Sequence, residues 1–416
     1  MRRAIGRRQA LTGFGLAAAS LAAAACGRPA ANTALNKPAV KPASGGPTSA
    51  APSDEPAVSD RPAGTLLWRT GRAYGSLPAV LTADSRVYIS GPGRVRGNTG
   101  LYALDAATGR KLWRTPGNSG PYPWTTGPGA VFGFMATPDG RIEVVATSAA
   151  TGRALWTKNV GSLLDSAQDG AMCYASGLVY VGGGATAHST EGQPTVRALD
   201  ARTGAQMWEA RLGAAPQTPA VVDGVVYVGA ADSIPATSGT VAALDAATGR
   251  HLWQSVDLGG WPGGYMVVDG VLWGGSSPPR GPGALFGLDA RTGRRLWHMT
   301  SFFATAVSTG GIVLCVFEDF GSGPSTYSGQ RYIVEARHAR TGALAWKRAF
   351  PGESSMAAAR GVLYLSTGPG KLHALRAATG EPLWSRRLGD QVSEFDIDAV
   401  AIYLTDDSGA VYAFRT

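Results

Sequence analysis

The sequence predicts an all-β fold: an eight-bladed β-propeller of four-stranded antiparallel blades, the last blade closed by strands from both chain ends. Three observations carry this. An eleven-residue phrase, Ala-x-Asp-x-x-Thr-Gly-x-x-x-Trp, is complete at Ala103–Trp113, Ala198–Trp208 and Ala243–Trp253. Four more copies keep Thr-Gly-x-x-x-Trp and end at Trp156, Trp297, Trp346 and Trp384, with Ser148, His338 and Arg376 at three of the Asp positions and Gly287 as the first residue of another. An eighth Trp, Trp68, lacks a front half, and the chain's last residues, Ala413–Thr416, supply one. Successive Trp residues lie 38 to 52 positions apart, the period of propeller blades.

Each letter of the phrase has a structural reading. Val241-Ala242-Ala243-Leu244-Asp245 is apolar on both alternating sets, as a strand covered on both faces must be. Asp245 can accept from backbone N–H groups ahead of it and start a turn, and Gly249 provides the positive φ of a bulged hairpin. Trp253 then carries an indole large enough to wedge between neighbouring units. The fourth copy shows four strand signals: Thr218–Val222, Val225–Val228, Val241–Leu244 and His251–Gln254. Asp223-Gly224 and Asp269-Gly270 mark tight first turns. The closing blade is expected from Glu394–Asp398, Ala401–Thr405 and Ala410–Phe414, with Thr65–Arg69 as its outer strand. Such closure removes exposed sheet edges.

Ahead of the repeats, residues 1–25 read as a signal peptide: Arg2, Arg3, Arg7 and Arg8, then an Ala-, Gly- and Leu-rich run. Arg7-Arg8-Gln9-Ala10-Leu11 resembles a twin-arginine export signal. Ala23-Ala24-Ala25-Cys26 resembles a bacterial lipobox, which implies lipidation of Cys26 and an exported protein anchored to the outer leaflet of the cytoplasmic membrane. Without that lipid the protein is simply secreted. Residues 26–64 are Pro-, Ala- and Ser-rich and too poor in large apolar groups to form a core, so they are expected to act as a disordered tether. Residues 65–416 form the propeller.

The repeat resembles the tryptophan-docking, PQQ-like repeat of the quinoprotein β-propellers, over essentially all of residues 65–416. The resemblance implies one of two branches. One contains pyrroloquinoline-quinone-dependent alcohol and sugar dehydrogenases, with calcium beside the quinone. The other contains non-catalytic exported lipoproteins that bind proteins, and propellers attached to bacterial kinases. Fold does not choose between them; the site does.

Chemistry-bearing constellations are sparse. The adjacent Cys-Cys pair usual in the dehydrogenase branch is missing, and no set of positions matches its calcium ligands or Asp base. His188, His251, His298, His338 and His373 show no metal-ligand spacing. The Gly-rich pieces Gly182-Gly183-Gly184 and Gly281-Pro282-Gly283 open no helix and lack a following Lys-Ser/Thr. Of the formal charge of +9, removing the four leader arginines leaves +5, without the Lys/Arg clusters and interleaved aromatics of a nucleic-acid surface. Cys173 and Cys315 fall in the third and sixth blades and read as buried free thiols.

The expectation is therefore a monomeric, non-catalytic binding or scaffolding module that carries no cofactor or metal. Its partner is a protein or an envelope polymer, and the membrane is reached through the lipid. The eight Trp residues dock blades. Specificity is expected on the face formed by the connections between second and third strands and between blades. Trp124, Trp261, Phe302, Phe303, Glu318, Asp319, Phe320 and Tyr327 are the candidate binding residues there, with Asp165, Asp169 and Glu353 nearby. The alternatives are a pyrroloquinoline-quinone-dependent dehydrogenase and a cell-wall or carbohydrate-binding propeller.

Overall fold

The computed structural model describes residues 61–72, 74, 79–91, 100–115, 122–137, 141–162, 172–183, 195–212, 215–216, 219–231, 238–277, 283–301, 303–319, 331–352, 355–368 and 370–416. The leader, Cys26 and most of the Pro/Ala/Ser-rich stretch lie outside them. These residues form eight antiparallel sheets, seven built from consecutive strands. The eighth joins Val392–Ile397, Ala401–Asp406 and Val411–Arg415 to Leu66–Arg69, with Trp68 opposite Ala413. Inner strands of successive blades touch in chain order, and Val392–Ile397 returns to meet Ala79–Ala83 of the first blade. The ring is closed.

Local chemistry shapes each blade. In six blades the first turn carries positive φ at both central residues, as at Asp223 and Gly224 (49° and 76°) or Asp269 and Gly270 (52° and 77°), the second and eighth blades being the exceptions. That is the two-residue hairpin whose twist matches its strands. The last turn is held by the Asp of the phrase. Asp245 Oδ1 accepts from the Thr248 N–H (2.9 Å) and hydroxyl (2.7 Å), and the strand register slips by one between Ala243 and Leu244. The Thr248 hydroxyl, then its N–H, hold the Asp245 carboxyl below its ordinary pKa.

Strands run further than hydrophobic periodicity indicates. The second strand of the fourth blade is Val225–Ala231 and that of the fifth is Val271–Ser277. Backbone ladders continue through Gly229-Ala230-Ala231 and Gly274-Gly275-Ser276, where alternation has stopped. The inner strand of the fourth blade is split into Ala215–Pro216 and Ala220–Val222, both paired to Val225–Ala231.

The core is not central. Each of the eight apolar clusters fills one seam between adjacent blades. The closing seam is one of them: Val80, Val87 and Ile89 of the first blade pack on Ala401, Tyr403, Val411 and Ala413. Burial of these apolar groups favours closure.

Two expectations change. Arg61 to Gly64, assigned by composition to the tether, lead into the closing strand. The Gly64 N–H donates to the Arg415 carbonyl (2.8 Å) just as Gly109 donates to Asp105. Composition hides this because the turn needs only a glycine. Cys315 is a buried free thiol, but Cys173 is disulfide-bonded to a partner outside the described residues. The expectation weighed only the pairing of Cys173 with Cys315, which sit in separated blades.

Candidate interblade sites and binding face

The repeated Trp works between phrases rather than within one. Trp208 of the third blade lies flat on Gly249 of the fourth, where an added Cβ would come 2.5 Å from its ring. Its Nε1–H donates to the Ala246 carbonyl at 2.9 Å. Gly249 is therefore required twice, for its φ of 72° and for the close approach of the indole. The same pairing joins Trp68 to Gly109, Trp113 to Gly152, Trp156 to Gly204, Trp253 to Gly293 and Trp346 to Gly380, each donating to an Ala carbonyl. Trp384 lies on Gly64, so the split eighth copy is complete in space.

Sequence reading missed the companion of this Trp. Tyr180 and Tyr227, on second strands, donate to the same carbonyls as Trp208 and Trp253, both at 3.1 Å. Tyr403 shares Ala106 O with Trp68. A recurring Tyr after two aliphatics, as in Val225-Val226-Tyr227 and Ala401-Ile402-Tyr403, was the available signal. Burial pushes the Tyr180 and Tyr227 hydroxyls up to about 12, so they stay protonated donors.

One seam departs from the rule. Where Gly287 replaces the first Ala of its phrase, Trp297 slides over the vacated position and its Nε1–H has no partner. Trp273 takes over, donating to Ala339 O at 2.7 Å and meeting Trp297 edge-on with centroids 4.3 Å apart. The residue that docks this seam is thus Trp273, although Trp297 still packs against Gly342.

The candidate binding face is located by topology. Inner strands begin at the end of the ring where second strands finish. Trp124 lies in Tyr122–Gly127, at the register shift between Pro123 and Thr125. Trp261 and Phe303 open the inner strands of the fifth and sixth blades, and Glu318 and Asp319 end the second strand of the sixth. The backbone brings Trp261, Phe303, Glu318 and Asp319 into two neighbouring blades and leaves Trp124 three blades from Trp261. Phe302, Phe320 and Tyr327 lie outside the described residues, as do Asp165, Asp169 and Glu353.

The closing seam holds two buried carboxyls on the inner strand of the eighth blade. Asp396 accepts from the Thr82 N–H and, at 2.9 Å, from the Thr82 hydroxyl, tying the eighth blade to the first. Glu394 is 4% exposed, and one of its carboxyl oxygens has no hydrogen-bond partner. Burial, with the Asp396 charge adding to it, pushes the Glu394 pKa up to about 8. Among the described residues, no group of three or more His, Cys, Asp or Glu is placed to hold a metal ion.

Comparison with known proteins agrees with this architecture. The family model described as outer membrane protein assembly factor BamB matches residues 24–163, 139–309 and 330–416. The dehydrogenase subunit of a quinone alcohol dehydrogenase from Acetobacter aceti is 37% identical over 125 residues. That match covers 26% of this chain and 16% of the relative's length. Among solved structures, BamB from Moraxella catarrhalis superposes with a TM-score of 0.58 at 17% identity, covering 85% of this chain and 99% of that one. The quinohemoprotein alcohol dehydrogenase from Comamonas testosteroni gives 0.57 at 15% identity, covering 84% and 76%. The computationally designed Ika8 protein gives 0.62 at 14% identity, covering 83% and 98%. At these identities the structures establish the shared fold.

Proposed function

The chain belongs to the BamB-type family of PQQ-like propellers, and on that premise we propose that it is an exported, non-catalytic scaffold that binds a protein partner outside the cytoplasmic membrane. The carrying observation is how the repeat spends its polar groups. Its Asp and Thr side chains close turns, and its indoles reach carbonyls of the next blade. None of these is left for substrate chemistry. The face bearing Trp261, Phe303, Glu318 and Asp319 is the proposed partner surface, since aromatic groups at the centre of a patch supply most of the energy of such contacts.

The similarity to a quinone alcohol dehydrogenase subunit makes the enzymatic alternative concrete. A quinone enzyme needs a cation against the quinone carbonyls and a base near the substrate carbon. We expect the protein, titrated with pyrroloquinoline quinone and calcium, to show no saturable binding and no alcohol- or sugar-dependent dye reduction. Micromolar quinone affinity together with turnover would overturn the scaffold reading.

We further propose that Cys26 carries the membrane anchor. Among the described residues no helix is long and apolar enough to cross a membrane. The third cysteine of the chain is Cys26, and a sulfur in a thioether lipid cannot also enter a disulfide with Cys173. With Cys315 free, Cys26 is the one remaining cysteine for the Cys173 disulfide. A lipid on Cys26 therefore requires that this link is absent from the exported protein, and its support is the small-residue run ending at Cys26. Wild type should enter the detergent phase on phase separation, and Cys26→Ser should stay aqueous. Equal aqueous partition, with a reducible Cys26–Cys173 link seen by mass analysis, sinks the anchor.

A further inference from the structure

Large aliphatic side chains stay exposed on the outer strands all around the ring. Leu66, Leu112, Leu155, Met207, Leu252, Leu296, Leu344 and Leu383 are each more than a third exposed. Cations are not spread so evenly. The outer strands of the sixth, seventh, eighth and first blades are Leu344–Pro351, Pro382–Arg387, Leu66–Arg69 and Lys111–Arg114. Together they carry seven Lys or Arg and no Asp or Glu. The other four outer strands carry three cations and Glu209.

These four strands are consecutive around the ring, so they make one continuous basic arc. Within it, Arg348 donates to the Gly380 carbonyl (2.8 Å) and Arg386 to the Gly64 carbonyl (2.7 Å). Neutral carbonyls fix these guanidiniums in place without cancelling their charge. Among the described residues, three carboxylates near these strands are paired with cations. Glu381 faces Arg376, Asp390 faces Arg72, and Glu335 pairs with Arg337 while lying 3.8 Å from Lys347.

The position of the arc is informative. Residues 1–60 join the ring at Arg61, directly before the strand Leu66–Arg69. That strand is the third of the four, so the N-terminal chain leaves from within the arc. We propose that this arc seats on the anionic phospholipid headgroups of a bilayer, with the ring standing on its edge and the seventh and eighth blades lowest. Cations interleaved with exposed leucines suit a surface that has phosphates at its boundary and hydrocarbon just beneath. Exposed large aliphatics line the whole circumference. A bilayer is preferred to a hydrophilic anionic polymer because only this arc joins them to an excess of cations and to the exit of the N-terminal chain. This contact is independent of the partner-binding face, which lies on the end of the ring rather than its circumference.

The test uses the exported chain carrying Cys26→Ser, so that a lipid on that residue cannot account for binding. Cosedimentation is measured with phosphatidylcholine vesicles, with and without phosphatidylglycerol. Binding is expected only with the anionic lipid, and it should weaken as salt screens the charges. Lys111→Glu/Lys347→Glu/Arg387→Glu should lower the partition coefficient at least about tenfold. The matched reversal on the opposite arc, Lys158→Glu/Arg211→Glu/Arg295→Glu, should change it less than about threefold. Leu66→Ser/Leu383→Ser should also weaken binding with all charges intact. Equal losses from both reversals would reduce the effect to net charge and overturn the proposal. So would binding that ignores the leucine changes and is competed fully by soluble polyglutamate. Circular dichroism of each variant confirms that the ring still folds.

Discussion

Trp68→Ala should unfold in denaturant as early as Trp253→Ala, each losing on the order of 2–4 kcal/mol, somewhat less than a fully buried Trp because both indoles are only partly buried. The two indoles are equivalent although one belongs to a contiguous phrase and the other to a phrase divided between the chain ends. Trp68 lies on Gly109 and donates to Ala106 O at 2.8 Å. Trp253 lies on Gly293 and donates to Ala290 O at 3.1 Å. Loss of either opens a cavity in a seam and orphans no charge, so midpoints should fall while the denaturant slope stays constant. A near-neutral Trp68→Ala would show that Leu66–Arg69 contributes little to closing the ring. A changed slope in Trp68→Ala alone would show instead that the closing blade melts separately from the other seven.

Glu394→Gln should stabilise the protein in alkaline solution and leave it unchanged in acid. The folded-state pKa of Glu394 is raised, from 4.5 to about 8, because the carboxyl is buried beside Asp396. Between those values the unfolded chain is ionised at this residue while the folded chain still holds the proton. Folding then takes up a proton, so stability falls as pH rises through that window. The loss is on the order of 3–5 kcal/mol by about pH 8 and grows no further above it. Gln keeps the shape and carries no ionisable proton, so its stability should be flat where wild type declines. Urea melts of the two proteins from about pH 4 to about pH 9 read this directly. Parallel curves would mean that Glu394 ionises in the fold without penalty.

The two predictions bear on one seam from different sides. Trp68 closes its outer end, and Glu394 and Asp396 lie at its inner strand. Leu66–Arg69 runs on in sequence to Ala79–Ala83 of the first blade, so the ring is closed by the pairing of Leu66–Arg69 with Val411–Arg415 together with the packing of this seam. Both residues were placed there by tertiary structure, yet only one was legible in advance.

Trp68 was readable because the repeat is local and periodic. Eight Trp residues at blade spacing, with a front half of the phrase at Ala413–Thr416, determine the number of blades and the way they close. The turn chemistry was equally legible, since Asp245, Thr248 and Gly249 act within one hairpin. Strand order also puts Trp261, Phe303, Glu318 and Asp319 at one end of two neighbouring blades, and their binding role is a proposal. Other features depend on neighbours far along the chain. Which glycine receives each indole is decided one blade later. The exchange of Trp297 for Trp273 follows from a methyl missing at Gly287 and a carbonyl available at Ala339. Gly64 resembles any residue of a Pro/Ala-rich stretch until Arg415 and Trp384 arrive beside it. The burial of Glu394 and the gathering of cations into one arc likewise exist only once the ring has closed. Sequence by itself determined the repeating hairpins and their number, because each is satisfied by hydrogen bonds a few residues apart. The tertiary structure decided what each blade presents to the next and to its surroundings, because those contacts join segments roughly forty residues apart, or opposite ends of the chain, that no local pattern relates.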